Sequence, residues 1–91
     1  MRFGVMMMNN QRYVIFAGEN YYPQGGSKDI NCFCESLDES EKIAIGLIQK
    51  EEYEWVEVYD FIKQEICFEL GKWDGKNWIV KGDGEWVEVD E

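Results

Sequence analysis

Nineteen carboxylates and three thiols are the groups in this 91-residue chain whose chemistry most invites a catalytic reading, and neither set has the partners that catalysis needs. The chain has no His and no Thr. Ser27, Ser36 and Ser40 therefore have no imidazole to activate them, and the commonest general base is absent. Among so many acids some pair always lies close, so carboxylate proximity alone does not mark an acid–base site. No catalytic residue is expected, and the chain reads as a non-enzyme. Cys32, Cys34 and Cys67 are odd in number and have no His beside them, which argues against a disulfide framework and a closed zinc site. They read as reduced structural thiols, with no metal and no cofactor expected. Asp74-Gly75-Lys76-Asn77 and Asp83-Gly84-Glu85 lack the ligand spacing of a calcium loop and read as turns.

Two binding constellations remain. The first is a loop, Glu19 to Asp29, in which Tyr21 and Tyr22 precede Pro23 and the pair Gly25-Gly26, with Lys28 close behind. Backbone amides around paired glycines and a lysine suit an anion, so Tyr21, Tyr22, Gly25, Gly26 and Lys28 form a candidate site for a small ligand such as a nucleotide signal. The order is wrong for a P-loop, and a strand follows where a helix is needed. Packing of the two tyrosines over a core edge explains the same residues. The second constellation lies on strands: Trp55, Glu57, Tyr59, Glu65 and Glu69, with Trp86 and Glu88 nearby if the register allows. Aromatic anchors among carboxylates complement a basic protein surface in charge and in stacking preference. A further layer, or a second copy in a homo-oligomer, would cover the same aromatics equally well.

These residues depend on the elements that carry them. Arg12 to Ala17 is rich in β-formers and stops at Gly18, and Ile30 to Glu35 reads as a second strand. Asp38-Glu39-Ser40-Glu41 has capping-box spacing, and Ser36 with Glu39 offers the same geometry two residues earlier. Ile43, Ala44, Leu47 and Ile48 then share one face of a helix running to about Glu51. Gly46 weakens that helix and marks an expected close approach to the sheet. Glu54 to Asp60 and Gln64 to Leu70 alternate with period two, placing Val56, Val58, Ile66, Phe68 and Leu70 inward and Trp55, Glu57, Tyr59, Glu65, Cys67 and Glu69 outward. Asp74-Gly75 and Gly82-Asp83-Gly84 are hairpin signals, so Asn77 to Lys81 and Glu85 to Val89 complete a meander. Glu54 to Val58 and Glu85 to Val89 share E-W-V-E-V, read as two similar strands and not as a repeat architecture.

The expectation is an α+β domain over residues 11–91: a mostly antiparallel sheet of five or six strands, order ββαββββ, with one helix on one face. The helix has a single apolar stripe, so the other face meets water or a partner. Residues 1–10, with Met1, Met6, Met7 and Met8 as alternative starts, read as a mobile leader. No apolar stretch approaches the ~20 residues of a membrane span, and Val5 to Met8 is short for a signal peptide, so a cytoplasmic location is expected. Acids and bases balance up to Leu37; from Asp38 onward 16 acids face six lysines, so the whole net charge of −10 lies in the second part of the chain. That field repels phosphate backbones and anionic lipid while steering cationic surfaces inward, which disfavours direct nucleic-acid or membrane binding. Solubility alone also accounts for such charge.

The run Tyr13 to Asp29, Y-V-I-F-A-G-E-N-Y-Y-P-Q-G-G-S-K-D, resembles the start of small bacteriophage-encoded proteins with an F-A-G-x-x-Y-Y-P-x-G-G-x-x-D pattern. Their Ser-aromatic-Asp helix start has its counterpart in Ser36-Leu37-Asp38, and their hairpin in Glu54 to Phe68. The resemblance covers about the first 70 residues. It departs at Leu37, where an aromatic is usual, at Ser27, where a Trp is common, and over Lys72 to Glu91, an extra hairpin. It implies a phage origin more than a mechanism. Phage accessory proteins of this size are often inhibitors or counter-defence factors, so the expected partner is a basic host protein that processes nucleic acid, with the small-ligand role and a structural or assembly role as alternatives.

Overall fold

Six antiparallel strands and one helix are formed by the described residues, 11–19 and 29–89, of the computed structural model. The strands are β1 (Tyr13–Gly18), β2 (Ile30–Cys34), β3 (Trp55–Asp60), β4 (Glu65–Trp73), β5 (Lys76–Lys81) and β6 (Val87–Glu88), and the helix α1 is Leu37–Ile48. The sheet order is β2-β1-β3-β4-β5-β6, with every neighbouring pair antiparallel. The expected α+β architecture, ββαββββ with the helix on one face, is the one found. The expected leader, residues 1–10, lies outside the described residues.

Period-two burial explains why the helix sits where it does. Tyr13, Ile15 and Ala17 of β1, Val56 and Val58 of β3, and Phe68 and Leu70 of β4 point to one side and form the core with Ala44, Leu47 and Ile48 of α1. Ile15, Val56, Val58, Ala44 and Ile48 are completely buried, each large aliphatic one contributing about 1.5–3 kcal/mol by removal from water. Ser36 is the N-cap: its hydroxyl accepts from the Glu39 N–H at 3.1 Å, so the earlier of the two cap positions prevails. The helix ends at Ile48, short of Glu51.

No basic side chain lies in the last turn of α1. The cation arrives from the sheet instead. Lys72, on the helix side of β4, donates from Nζ to the carbonyls of Ile48, Lys50 and Tyr53, the last at 2.8 Å. An ammonium on orphan carbonyls at the negative end of the helix dipole both satisfies them and pins the helix to the sheet. Lys81 of β5 adds an ion pair to Glu41 of α1 at 3.0 Å. Gly46, by contrast, is exposed, and a methyl added there meets nothing within 4 Å. The expected close approach to the sheet is absent at this position, because the helix presents Ala44, Leu47 and Ile48 to the strands and turns Gly46 to solvent.

A second anchor closes the opposite end. Arg12 donates from Nε and Nη2 to the two carboxylate oxygens of Asp60, both at 2.9 Å, while the backbone N–H groups of Ile62 and Lys63 donate to Asp60 Oδ1 at 2.8 and 3.2 Å. The Asp60 side chain, almost wholly buried, thereby joins the start of β1 to the β3–β4 turn. The Arg12 guanidinium, with those backbone donors, holds its carboxyl down at about 2. Asp74 and Gly75 take φ of 57° and 72°, the paired left-handed conformation of a two-residue hairpin loop that the dipeptide signals.

Cys32, Cys34 and Cys67 are free. Burial raises all three thiols, that of Cys34 to about 12, so they stay protonated and unreactive near neutral pH. Among the described residues no group of His, Cys, Asp and Glu side chains has the makings of a metal site, and no helix is long and apolar enough to cross a membrane.

Candidate functional site

The face away from α1 is organised in cross-strand rows. One runs Gly18, Trp55, Gly71, Trp78, Glu88 across β1, β3, β4, β5 and β6. Glycine alternates with tryptophan because each indole needs the space beside it. A methyl group at Gly18 would overlap the Trp55 ring, and one at Gly71 would lie 3.1 Å from the Trp73 ring. The next row is Phe16, Glu57, Glu69, Val80. Beyond it, Val14, Tyr59 and Ile66 are paired, with Phe33 beside Val14.

These rows leave a groove of about 490 Å³ over β3 and β4, lined by Trp55, Glu57, Glu69, Gly71, Trp73 and Trp86, with Glu54 at its end. One wall is an aromatic stack. Trp73 and Trp78 lie parallel with ring centroids 5.2 Å apart, Trp86 meets Trp73 edge-on at 5.1 Å, and the Trp78 indole N–H donates to the Trp73 carbonyl at 3.2 Å. Such offset and edge contacts hold rings in place beyond what area burial supplies. Trp73 and Trp86 nonetheless stay 42% exposed, so their outer faces are open for contact.

At the far end of the groove Glu57 and Glu69 stand directly opposite on β3 and β4. Neither is paired with a cation among the described residues. Partial burial, then the charge of Glu69, then that of Asp29, pushes the Glu57 carboxyl above its ordinary 4.5. Like charges directly across a ladder are destabilising. Lys72, also in the lining, offers no relief, since its ammonium is bound at the end of α1.

Of the residues expected on this surface, Trp55, Glu57, Glu69 and Trp86 meet in the groove. Tyr59 shares the face but lies one row beyond Glu57, edge-on to Phe61 at 5.9 Å, and Phe61 stacks on Phe33 at 6.2 Å. Glu88 is on the same face at the rim, 4.0 Å from Lys76. Glu65 is misplaced in the sequence reading. The register slips between Val58 and Tyr59, so Ile66 pairs with Tyr59 and Glu65 with Asp60. A bulge reverses the alternation, putting Glu65 on the helix side and turning Ile66, 41% exposed, to the open side. Tyr21, Tyr22, Gly25, Gly26 and Lys28, the candidate ligand loop, lie outside the described residues.

Trp73 in the groove lining, and Trp78 stacked on it, are residues that the sequence reading does not place there. The signal was present: a two-residue Asp74-Gly75 loop requires Trp73 and Lys76 to pair immediately, so β4 runs on through Gly71 and Lys72 and not only to Leu70.

The model of the bacteriophage T4 protein Y07C family matches residues 13–69. The chain belongs to that family. No curated protein and no solved structure matches it. The family name points to a phage-encoded protein and carries no reaction with it. The matched stretch runs from β1 to Glu69 in β4, so it contains Trp55, Glu57 and Glu69. Trp73, Trp78 and Trp86 lie beyond it. In this Y07C-family chain the groove is therefore built where the matched region meets the terminal hairpins: the acids come from one side of that boundary and most of the aromatic wall from the other.

Proposed function

We propose that this chain is a non-catalytic binding protein that docks its open sheet face on a basic, nucleic-acid-processing host protein in the host cytoplasm and inhibits it. The observation that carries the reading is the groove itself, in which three tryptophans flank two facing carboxylates that have no cation among the described residues. A cationic surface relieves the Glu57–Glu69 repulsion and covers exposed indole area, so both terms favour association. The net charge of −10 adds long-range steering toward such a surface and away from phosphate. Carboxylates spaced along a sheet compete for the same cationic channel that a nucleic-acid backbone occupies.

The test begins with affinity capture from host lysate at low salt, identification of the captured protein, and reconstitution of the pair from purified components. Steering by charge requires the association rate to fall by roughly tenfold or more between about 50 and 300 mM salt. Glu57→Lys combined with Glu69→Lys should abolish the reconstituted complex. Undiminished binding by that double variant, with its fold intact, discards the reading.

A further inference from the structure

Building on that reading, we infer that the groove receives an arginine side chain of the partner, its guanidinium stacked against the Trp73–Trp86 wall and its N–H groups directed to Glu57 and Glu69. The Trp73 ring leans over Gly71, which carries no side chain, and the Trp55 ring of the neighbouring strand leans the other way, over Gly18. Indole rings in the lining of a groove offer flat apolar faces, and such faces favour a flat group. Guanidinium is flat, weakly hydrated and stacks on aromatic faces. In the same lining the two carboxylates are cross-strand neighbours, a pair that a five-donor fork can bridge and a single point charge cannot span as well.

Desolvation separates the two cations further. Glu57 is half-buried, so a cation reaching it leaves much of its water behind. That cost is high for a strongly hydrated ammonium and lower for guanidinium. Lys72, the nearest lysine along the groove strands, does not compete, since it is committed to the carbonyls of Ile48, Lys50 and Tyr53. The aromatic wall is held before the partner arrives by the Trp73–Trp78 stack and the Trp78 N–H bond, so little ordering remains to be done on binding. At about 490 Å³ the groove exceeds one side chain, so residues flanking the arginine also enter it.

The experiment uses nine-residue peptides of glycine and serine with one central arginine, lysine or citrulline, titrated into the full ¹⁵N-labelled chain at fixed ionic strength. Indole N–H signals of the tryptophans report occupancy directly. The arginine peptide should shift the Trp73 and Trp86 signals saturably and bind about tenfold more tightly than the lysine peptide. The citrulline peptide, a neutral isostere, should leave them in place. Glu57→Gln and Glu69→Gln, which preserve shape, should each weaken the arginine peptide by roughly tenfold while the amide spectrum stays dispersed. Equal binding of arginine and lysine, or indole signals that do not move with any peptide at millimolar concentration, overturns the inference. If that happens while partner capture still depends on salt and on Glu57 and Glu69, only the arginine assignment falls. If capture is also insensitive to both, the proposed function falls with it.

Discussion

Two carboxylates three residues apart on β3 show how differently the two sides of this sheet are used. Asp60 faces the helix side, takes both arms of Arg12 and two turn N–H groups, and is held at about 2. Glu57 faces the open side, meets Glu69 head-on, and is pushed upward by burial and by that charge. One acid is satisfied by the fold. The other is made uncomfortable by it. The contrast teaches that charge by itself carries no role: the same strand supplies a structural lock on one face and, on the other, a carboxylate that faces a like charge with no cation beside it among the described residues, according to which neighbours the register brings.

The sharpest way to break the contrast is to remove the lock. Asp60→Ala should destabilise the domain by about 2–4 kcal/mol, because the turn N–H groups lose their acceptor in a buried place. Equilibrium urea unfolding should register it as a lower midpoint, and a loss below about 0.5 kcal/mol would mean that the lock is ornamental. Next comes the other tertiary cation on the covered side. Lys72→Met should cost about 1–3 kcal/mol and, more diagnostically, speed amide hydrogen exchange at the end of α1, where three carbonyls lose their donor. Exchange that speeds up uniformly along the chain would point to general destabilisation instead of a missing cap.

Glu57→Gln should act in the opposite direction from Asp60→Ala, raising stability near neutral pH by about 0.2–1 kcal/mol through relief of the pair with Glu69. The pH dependence separates the two acids. Folding depresses the Asp60 carboxyl, so its contribution is full above its ordinary 3.8 and disappears as pH falls toward about 2. Folding raises the Glu57 carboxyl, so its contribution is full below the ordinary 4.5 and is lost as pH rises through the raised value. The advantage of Glu57→Gln over the parent should therefore be absent in acid and emerge with rising pH; an advantage already complete at pH 3 would contradict an origin in carboxylate repulsion. An effect of similar size lies away from both acids. Gly46→Ala, at an exposed helical position with open space, should stabilise by up to about 1 kcal/mol, read as a small rise in the unfolding midpoint.

Much of the fold was legible because its signals are local. Alternation over Glu54 to Asp60, the apolar stripe Ile43-Ala44-Leu47-Ile48 and the Asp74-Gly75 turn each act over a few residues, and the structure has a strand at Trp55–Asp60, that stripe against the core and that turn. Gly46 and Glu65 were misread for the same reason in reverse. Helix rotation, which sends Gly46 outward, is decided by how the whole stripe seats on the sheet, and the bulge at Val58/Tyr59 inverts Glu65 through a pairing that no alternation pattern records. The site was legible in part. Trp55, Glu57, Glu69 and Trp86 are identifiable as outward residues, whereas Trp73 lies beyond a strand expected to stop at Leu70, and the stacking of Trp78 on it depends on the β4–β5 register.

Residue types and spacing alone determined that this chain lacks a catalytic imidazole, that its excess charge lies beyond Leu37, and that one helix and a set of alternating strands form an α+β domain, since all of these follow from composition and short-range periodicity. Only the tertiary structure decided which acids face each other, which lysine caps the helix, and that tryptophans from β3, β4 and the approach to β6 share one groove. Cross-strand register couples residues far apart in the chain, and it is settled by the packing of the whole sheet against α1, not by any segment taken singly.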